Sequence, residues 1–194
     1  MRSKHTGAAS LSAHTLAVVI MSMVVAAPCL YAQKSGPSEN EVKSAYLYNF
    51  GKFVEWPATA TADGEFFPIC VLGDDTFGTT LEMTIARESI NGKKVLVKRV
   101  AKPQDAVTCR ILFIGASQRS RLKETLAELD NTSVLTVSDM PEFTRRGGMI
   151  QFDMEANRVR FDVNLTIAER AGLTLSSQLL KVAIDVKRST QPGS

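Results

Sequence analysis

The chain has 194 residues, 44% of them apolar, with 23 basic and 20 acidic residues and a formal net charge of +3. That length suits one domain of ordinary globular composition. So small a charge excess gives no electrostatic reason to expect nucleic acid as a partner, because phosphate binding needs a concentrated basic surface.

The N-terminus reads as an export signal. Arg2 and Lys4 form a basic start, and the apolar run from Leu16 to Ala27 is shorter than the roughly 20 residues of a membrane span. Cleavage is expected after Ala32, making 1–32 a signal peptide and 33–194 a single exported domain. A lipoprotein reading would use Cys29, but Pro28 stands where a small residue is wanted. Losing Arg2 and Lys4 leaves 21 basic against 20 acidic residues.

Both histidines, His5 and His14, fall in the leader. The exported domain therefore has no imidazole for a Ser-His-Asp or Cys-His nucleophile system, for zinc or for haem. No enzyme, metal or other cofactor is expected. Cys70 and Cys109 remain, and in an oxidising compartment they read as a disulfide, the alternative being two separately buried thiols.

Ser38 with Glu41 three positions on fits a capping box. The helix that follows sets Glu41, Ser44, Tyr48, Lys52 and Glu55 on a polar stripe and Val42, Tyr46, Asn49, Phe50 and Phe53 on an apolar face. Pro57 ends it at Trp56. Phe66–Leu72 is continuously apolar, as a strand buried on both faces would be. A short helix carries Phe77 and Leu81, Asn91-Gly92 marks a turn, and a strand follows from Lys94 to Val100. Cys109–Ile114 is a further strand, and the helix after it turns Leu122, Leu126 and Leu129 inward. Val134–Val137 is the next strand. Met149–Met154 and Arg158–Val163 are joined so tightly that they must form an antiparallel hairpin. A helix from Thr166 breaks at Gly172, and a last helix spans Leu175 to Val186. The expectation is a three-layer α/β fold: a mixed, mostly parallel sheet of about six strands with a C-terminal antiparallel hairpin and flanking helices.

Two regions invite a functional reading. The turns bearing Asp74, Ser117, Ser138 and Asp139 gather at the carboxyl ends of parallel strands, where open α/β sheets bind small ligands. Short polar turns fill that edge in most such folds, so the plainer reading is structural. Asp74-Asp75 resembles half of a phosphoreceiver pocket, but Gly115 stands where the central aspartate belongs and no lysine follows on Met149–Phe152. The second region is the strand Arg158–Val163. Its alternation turns Val159, Phe161 and Val163 inward and Arg158, Arg160 and Asp162 outward, beside a turn that carries Ile167. That face suits either a partner or plain solvent.

The segment 45–57 concentrates five aromatics, Tyr46, Tyr48, Phe50, Phe53 and Trp56. At helical spacing such residues are most often core. The run Tyr48-Asn49-Phe50-Gly51-Lys52-Phe53-Val54-Glu55-Trp56-Pro57 also resembles the signature of the YfiR-type periplasmic regulators. The likeness continues in order through Cys70–Gly78, Cys109–Ile114, Val134–Asp139, Gly147–Ile150, Val159–Asn164 and Ser176–Leu180. It implies a mixed α/β periplasmic domain, often a homodimer, that represses an inner-membrane diguanylate cyclase and is countered by an outer-membrane lipoprotein. A second cysteine pair known in that family has no counterpart in Thr144–Ile150. The other class left open is a periplasmic module that binds a small molecule and has no cyclase partner.

Overall fold

Ser38 starts the first element as its spacing predicts. Its Oγ accepts the Glu41 N–H at 3.3 Å while Glu41 Oε2 accepts the Ser38 N–H at 2.7 Å, and helix α1 runs Glu39–Phe53. The structure is a computed structural model that describes residues 36–58, 60 and 64–188; the expected leader 1–32 lies outside them.

Helix α1 stops short of Trp56. Val54–Glu55 turn extended as β1 and pair antiparallel with β9, Thr174–Leu175. The Ser176 N–H closes the junction on the Phe53 carbonyl at 2.9 Å. Pro57 still explains why the helix cannot continue; backbone pairing with β9 takes over before it. The buried face of α1 is Lys43, Ser44, Leu47, Phe50 and Gly51, rotated from the expected stripe, of which only Phe50 is buried. The cause is close approach to the sheet. A Cβ on Gly51 would crowd Ile90 Cδ1 and the Phe67 ring, so the helix seats on the sheet through Gly51, with Leu47 and Phe50 buried beside it and Tyr46, Tyr48 and Phe53 at the margins.

The sheet has eight strands: β2 Phe66–Leu72, β3 Ser89–Ile90, β4 Lys93–Val100, β5 Ile111–Ile114, β6 Leu135–Ser138, β7 Ile150–Glu155, β8 Arg158–Asn164 and β10 Val186–Lys187. Their order is β10-β8-β7-β6-β5-β2-β4-β3. Strands β4, β2, β5, β6 and β7 are mutually parallel, and β7 and β8 form the expected antiparallel hairpin. All six strands expected from the sequence are present. The additions, β3 and β10, are two-residue pieces at the two edges.

Pro68 is tolerated in a central strand for a positional reason. Its carbonyl accepts the Arg110 N–H, and pairing with β5 begins only at Ile69, so no ladder bond needs the missing N–H. On one side of the sheet α1 and α2 (Thr80–Ile85) cover a core of Leu47, Phe50, Phe67, Ile69, Phe113, Phe152 and Phe161. On the other side a 3₁₀ turn, Pro103–Ala106, and α3 (Leu122–Glu128) cover Leu72, Leu112, Ile114, Leu122 and Phe143. That is the three-layer arrangement. Cys70 and Cys109 lie in this second core as a disulfide, with Cα atoms 6.0 Å apart.

The expected final helix is much shorter. After α4 (Leu165–Arg170), helix α5 spans only Ser177–Val182. Leu175 belongs to β9 and Val186 to β10. The edge of β8 captures the rest: Ile184 donates its N–H to the Phe161 carbonyl, and Val163 donates to the Asp185 carbonyl, each at 2.9 Å. Val182, at the end of α5, is 55% exposed.

Candidate functional site

The carboxyl ends of β2, β5 and β6 come together as the topology demands. After β2 the chain crosses one face of the sheet through α2 toward β4, and after β5 it crosses the opposite face through α3 to β6, which makes this the place where doubly wound sheets open a ligand crevice. Here the crevice is closed. A Cβ on Gly115 would lie 2.5 Å from the Asp74 carbonyl oxygen, so the two turns touch backbone to backbone. The Asp74 N–H donates to Ser117 Oγ at 2.9 Å. Ser138, fully buried, donates its hydroxyl to the Ile114 carbonyl at 2.6 Å and accepts the Met140 N–H at 3.1 Å.

Asp139 has a partner that sequence reasoning missed. Lys43, only 4% exposed, reaches it from α1 at 2.7 Å and also holds Glu39 at 2.6 Å. Burial pulls the Lys43 ammonium down, but the bonds to Asp139 and Glu39 outweigh it and raise its pKa. The Glu39/Lys43 spacing of four was the available signal; nothing in the sequence told which face it would occupy.

The outer face of the β7–β8 hairpin is different. Arg160 stands opposite Asp153, Asp162 opposite Gln151, and Arg158 opposite Glu155. Gln151 donates its amide to both Asp153 carboxylate oxygens at 2.9 and 3.0 Å. Neither Arg160 nor Asp162 forms a side-chain ion pair among the described residues. Burial raises the Asp162 pKa, with the carboxylates of Asp153 and Asp185 adding to it and Lys187 opposing. Ile167 follows β8 on α4; it packs partly against the aromatic core and lines a cavity of about 130 Å³ with Leu126, Met149 and Arg170, its N–H held by Asn164 Oδ1 at 3.2 Å.

The residues of the aromatic signature hold elements together. Tyr46 and Phe50 meet Phe152 and Phe161 with ring centroids 5.1–5.9 Å apart. Tyr48 donates its hydroxyl to Glu88 at 2.7 Å, and Lys52 Nζ sits 5.2 Å above its ring. Glu55 lies in the β1–β9 clip, Trp56 packs edge-on to Phe67 at 5.3 Å, and Pro57 packs beside Gly172. One opening breaks this surface. Asn49, Phe53, Gln178 and Val182, over Phe50 and Phe161, line a largely apolar groove of about 300 Å³. Gln178 carried no sequence signal for that role.

Among the described residues no group of acidic or cysteine side chains is arranged to hold a metal ion, and no helix is long and apolar enough to cross a membrane. Residues 40–184 match the profile of the YfiR/HmsC-like family. The chain belongs to that family. Membership of the YfiR/HmsC-like family fits a periplasmic regulator of cyclic di-GMP signalling and a protein partner in it. No curated protein matches the chain. Among solved structures, a conserved domain protein of Vibrio cholerae is similar at 11% identity and TM-score 0.53, over 77% of this chain. This chain spans 60% of the length of that one, and a likeness so remote speaks for the fold alone. An ABC domain of Streptococcus pneumoniae, solved in complex with L-Trp, gives 13% identity and TM-score 0.46 over 62% of this chain and 55% of its own; it carries no argument.

Proposed function

We propose that residues 33–194, exported to the periplasm after cleavage of 1–32, form a non-catalytic negative regulator of an inner-membrane diguanylate cyclase. The domain binds the periplasmic part of the cyclase, acts as a homodimer, and represses cyclic di-GMP synthesis until an outer-membrane lipoprotein draws it away. The family match over residues 40–184 carries this reading. The absence of histidine beyond residue 14 supports a binding role over a catalytic one. Inhibition needs only tighter binding to the inactive cyclase than to the active one, about tenfold in population for each 1.4 kcal/mol.

The contact proposed is the outer face of β8, with Arg160 and Asp162, and Ile167 as a neighbouring anchor. Both charges are half-buried and lack ion-pair partners among the described residues, as groups awaiting a complementary surface would be. Deleting the gene should raise cellular cyclic di-GMP and surface attachment. Asp162→Lys should do the same while the protein stays folded and exported. Unchanged cyclic di-GMP in the deletion would refute the regulator.

The other reading, a small-molecule sensory module without a cyclase partner, draws on the groove over Phe50 and Phe161. Its aromatic walls with two amides, Asn49 and Gln178, suit a small apolar molecule bearing a polar group. Retention of a membrane cyclase by the purified domain decides against it.

A further inference from the structure

The sheet ends on one side at β4, and only its first residues are covered there, β3 pairing with Lys93 and Lys94 alone. Lys94 donates its N–H to the Glu65 carbonyl on the β2 side, and Val95 donates to the Glu88 carbonyl on the other. Backbone groups alternate in direction along a strand, so those of Val97 and Arg99 also point away from β2. No described backbone group meets them. This leaves a short open edge of two N–H and two C=O groups.

Side chains alternate in the same way. Lys98 is registered with Cys70 and Val100 with Leu72, both in the core that holds the disulfide. Lys94, Leu96 and Lys98 therefore stand on that face, beyond the cover of the 3₁₀ turn, and all three are exposed. Phe66, opposite Lys94 and 46% exposed, widens the apolar part. Arg99, on the other face, already engages Asp75 and Glu82. Lys94 and Lys98 form no ion pair among the described residues.

Charge decides what such an edge accepts. Pairing with a second copy, antiparallel about Lys98 so that Val97 and Arg99 exchange their outward backbone groups, would set Lys98 against its own counterpart, and like charges directly opposite are unfavourable. Lysines on an edge strand guard against self-association. The same guard is an attraction for a strand of opposite charge. We infer that β4 is a second interaction edge that takes an extended acidic polypeptide segment by strand addition, its carboxylates meeting Lys94 and Lys98 on either side of an apolar residue over Leu96. The edge lies at the far end of the sheet from β8 and β10, so it goes beyond the cyclase reading and stands or falls apart from it.

The test uses the exported protein, the capped peptide Thr-Glu-Thr-Leu-Thr-Glu-Thr and its lysine counterpart Thr-Lys-Thr-Leu-Thr-Lys-Thr. Millimolar acidic peptide at low salt should slow amide hydrogen exchange at Val97 and Arg99 by about tenfold, leaving Leu96 and Lys98, which face β2, as they were. The lysine peptide should have no effect. In a Lys94→Glu/Lys98→Glu variant, checked for native circular dichroism, the preference should invert. Exchange at Val97 and Arg99 that ignores the acidic peptide, or responds equally to both, overturns the inference. So does protection by anionic phosphatidylglycerol vesicles and not by peptide, which would make the strand a lipid contact.

Discussion

At the carboxyl ends of β2, β5 and β6, the side chains of Ser117, Ser138 and Asp139 are bonded to their own fold: to the Asp74 N–H, a strand carbonyl and a buried lysine. On the outer face of β8, neither Arg160 nor Asp162 has a side-chain ion pair among the described residues. Asp162 is partly desolvated near Asp153 and Asp185, with Lys187 and the Asp185 N–H only partly offsetting them. A polar side chain that already has its bonds adds stiffness, and displacing it for a ligand sacrifices those bonds. One left half-desolvated gains when a complementary surface arrives. The contrast makes the strand ends structural and the hairpin face the better candidate for recognition.

The largest effect should come from the disulfide, which anchors β2 just before its polar turn. Cys70 and Cys109 are 39 residues apart, and loop closure on that scale is worth roughly 4 kcal/mol in the chain-entropy account. Cys70→Ser should lower the melting temperature without changing the fold; free thiols at both positions in the exported protein would remove the anchor from the comparison. Next, Asp139→Ala should cost about 2 kcal/mol by leaving Lys43 buried with Glu39 alone. Adding Lys43→Met, which removes the stranded charge, should recover much of that loss in urea unfolding. An Asp139→Ala protein as stable as the wild type would free the strand ends for a ligand and break the contrast.

The third effect is smaller and depends on pH. Because its folded pKa is raised, native Asp162 binds its proton more tightly than the unfolded chain does. Its penalty is absent below the ordinary carboxylate range and grows to its full size as pH rises through the folded pKa. Asp162→Asn should therefore stabilise the protein by ~0.5 kcal/mol or less at neutral pH, discounted for solvent exposure, and by nothing at pH 3. A difference independent of pH would show that the hairpin face holds no electrostatic tension. Least of all, Tyr48→Phe should cost ~0.5 kcal/mol, since it removes one exposed hydrogen bond to Glu88; a larger loss would give the aromatic signature a role beyond joining α1 to the segment before β3.

What could be read in advance follows from how strongly each residue's environment is local. The capping box at Ser38 and Glu41 is a contact between neighbours in sequence, and it formed as expected. Phe66–Leu72 and Ile111–Ile114 are apolar without interruption, and only a strand covered on both faces fits that. The face of α1 was misread because Lys43 and Ser44 are polar; their burial depends on Asp139 and on the tight seat of Gly51 against Ile90, both set by distant parts of the chain. Strands β1, β3, β9 and β10 have two residues each, too few to show a period. The shortening of the last helix has the same root, since the backbone groups that capture Ile184 and Asp185 belong to β8. Among the site candidates, the alternation of Arg158–Val163 placed Arg160 and Asp162 on one face. Ile167 lies past the Asn164 cap, on α4, where its packing depends on distant parts of the chain.

The small clip of β1 with β9 has a bearing on assembly. It ties the end of the first helix to a segment near the other end of the described chain, Val54 to Leu175 and the Phe53 carbonyl to Ser176. A chain emerging from its N-terminus would make α1 early and could seat it on Phe67, Glu88 and Ile90, but neither the clip nor the cover of its aromatic face could form until the hairpin, α4 and β9 had followed. Contacts so distant in sequence form late and slowly. The aromatic face of α1 would meanwhile stand uncovered, a reason for such a domain to need protection on its way to the folded state.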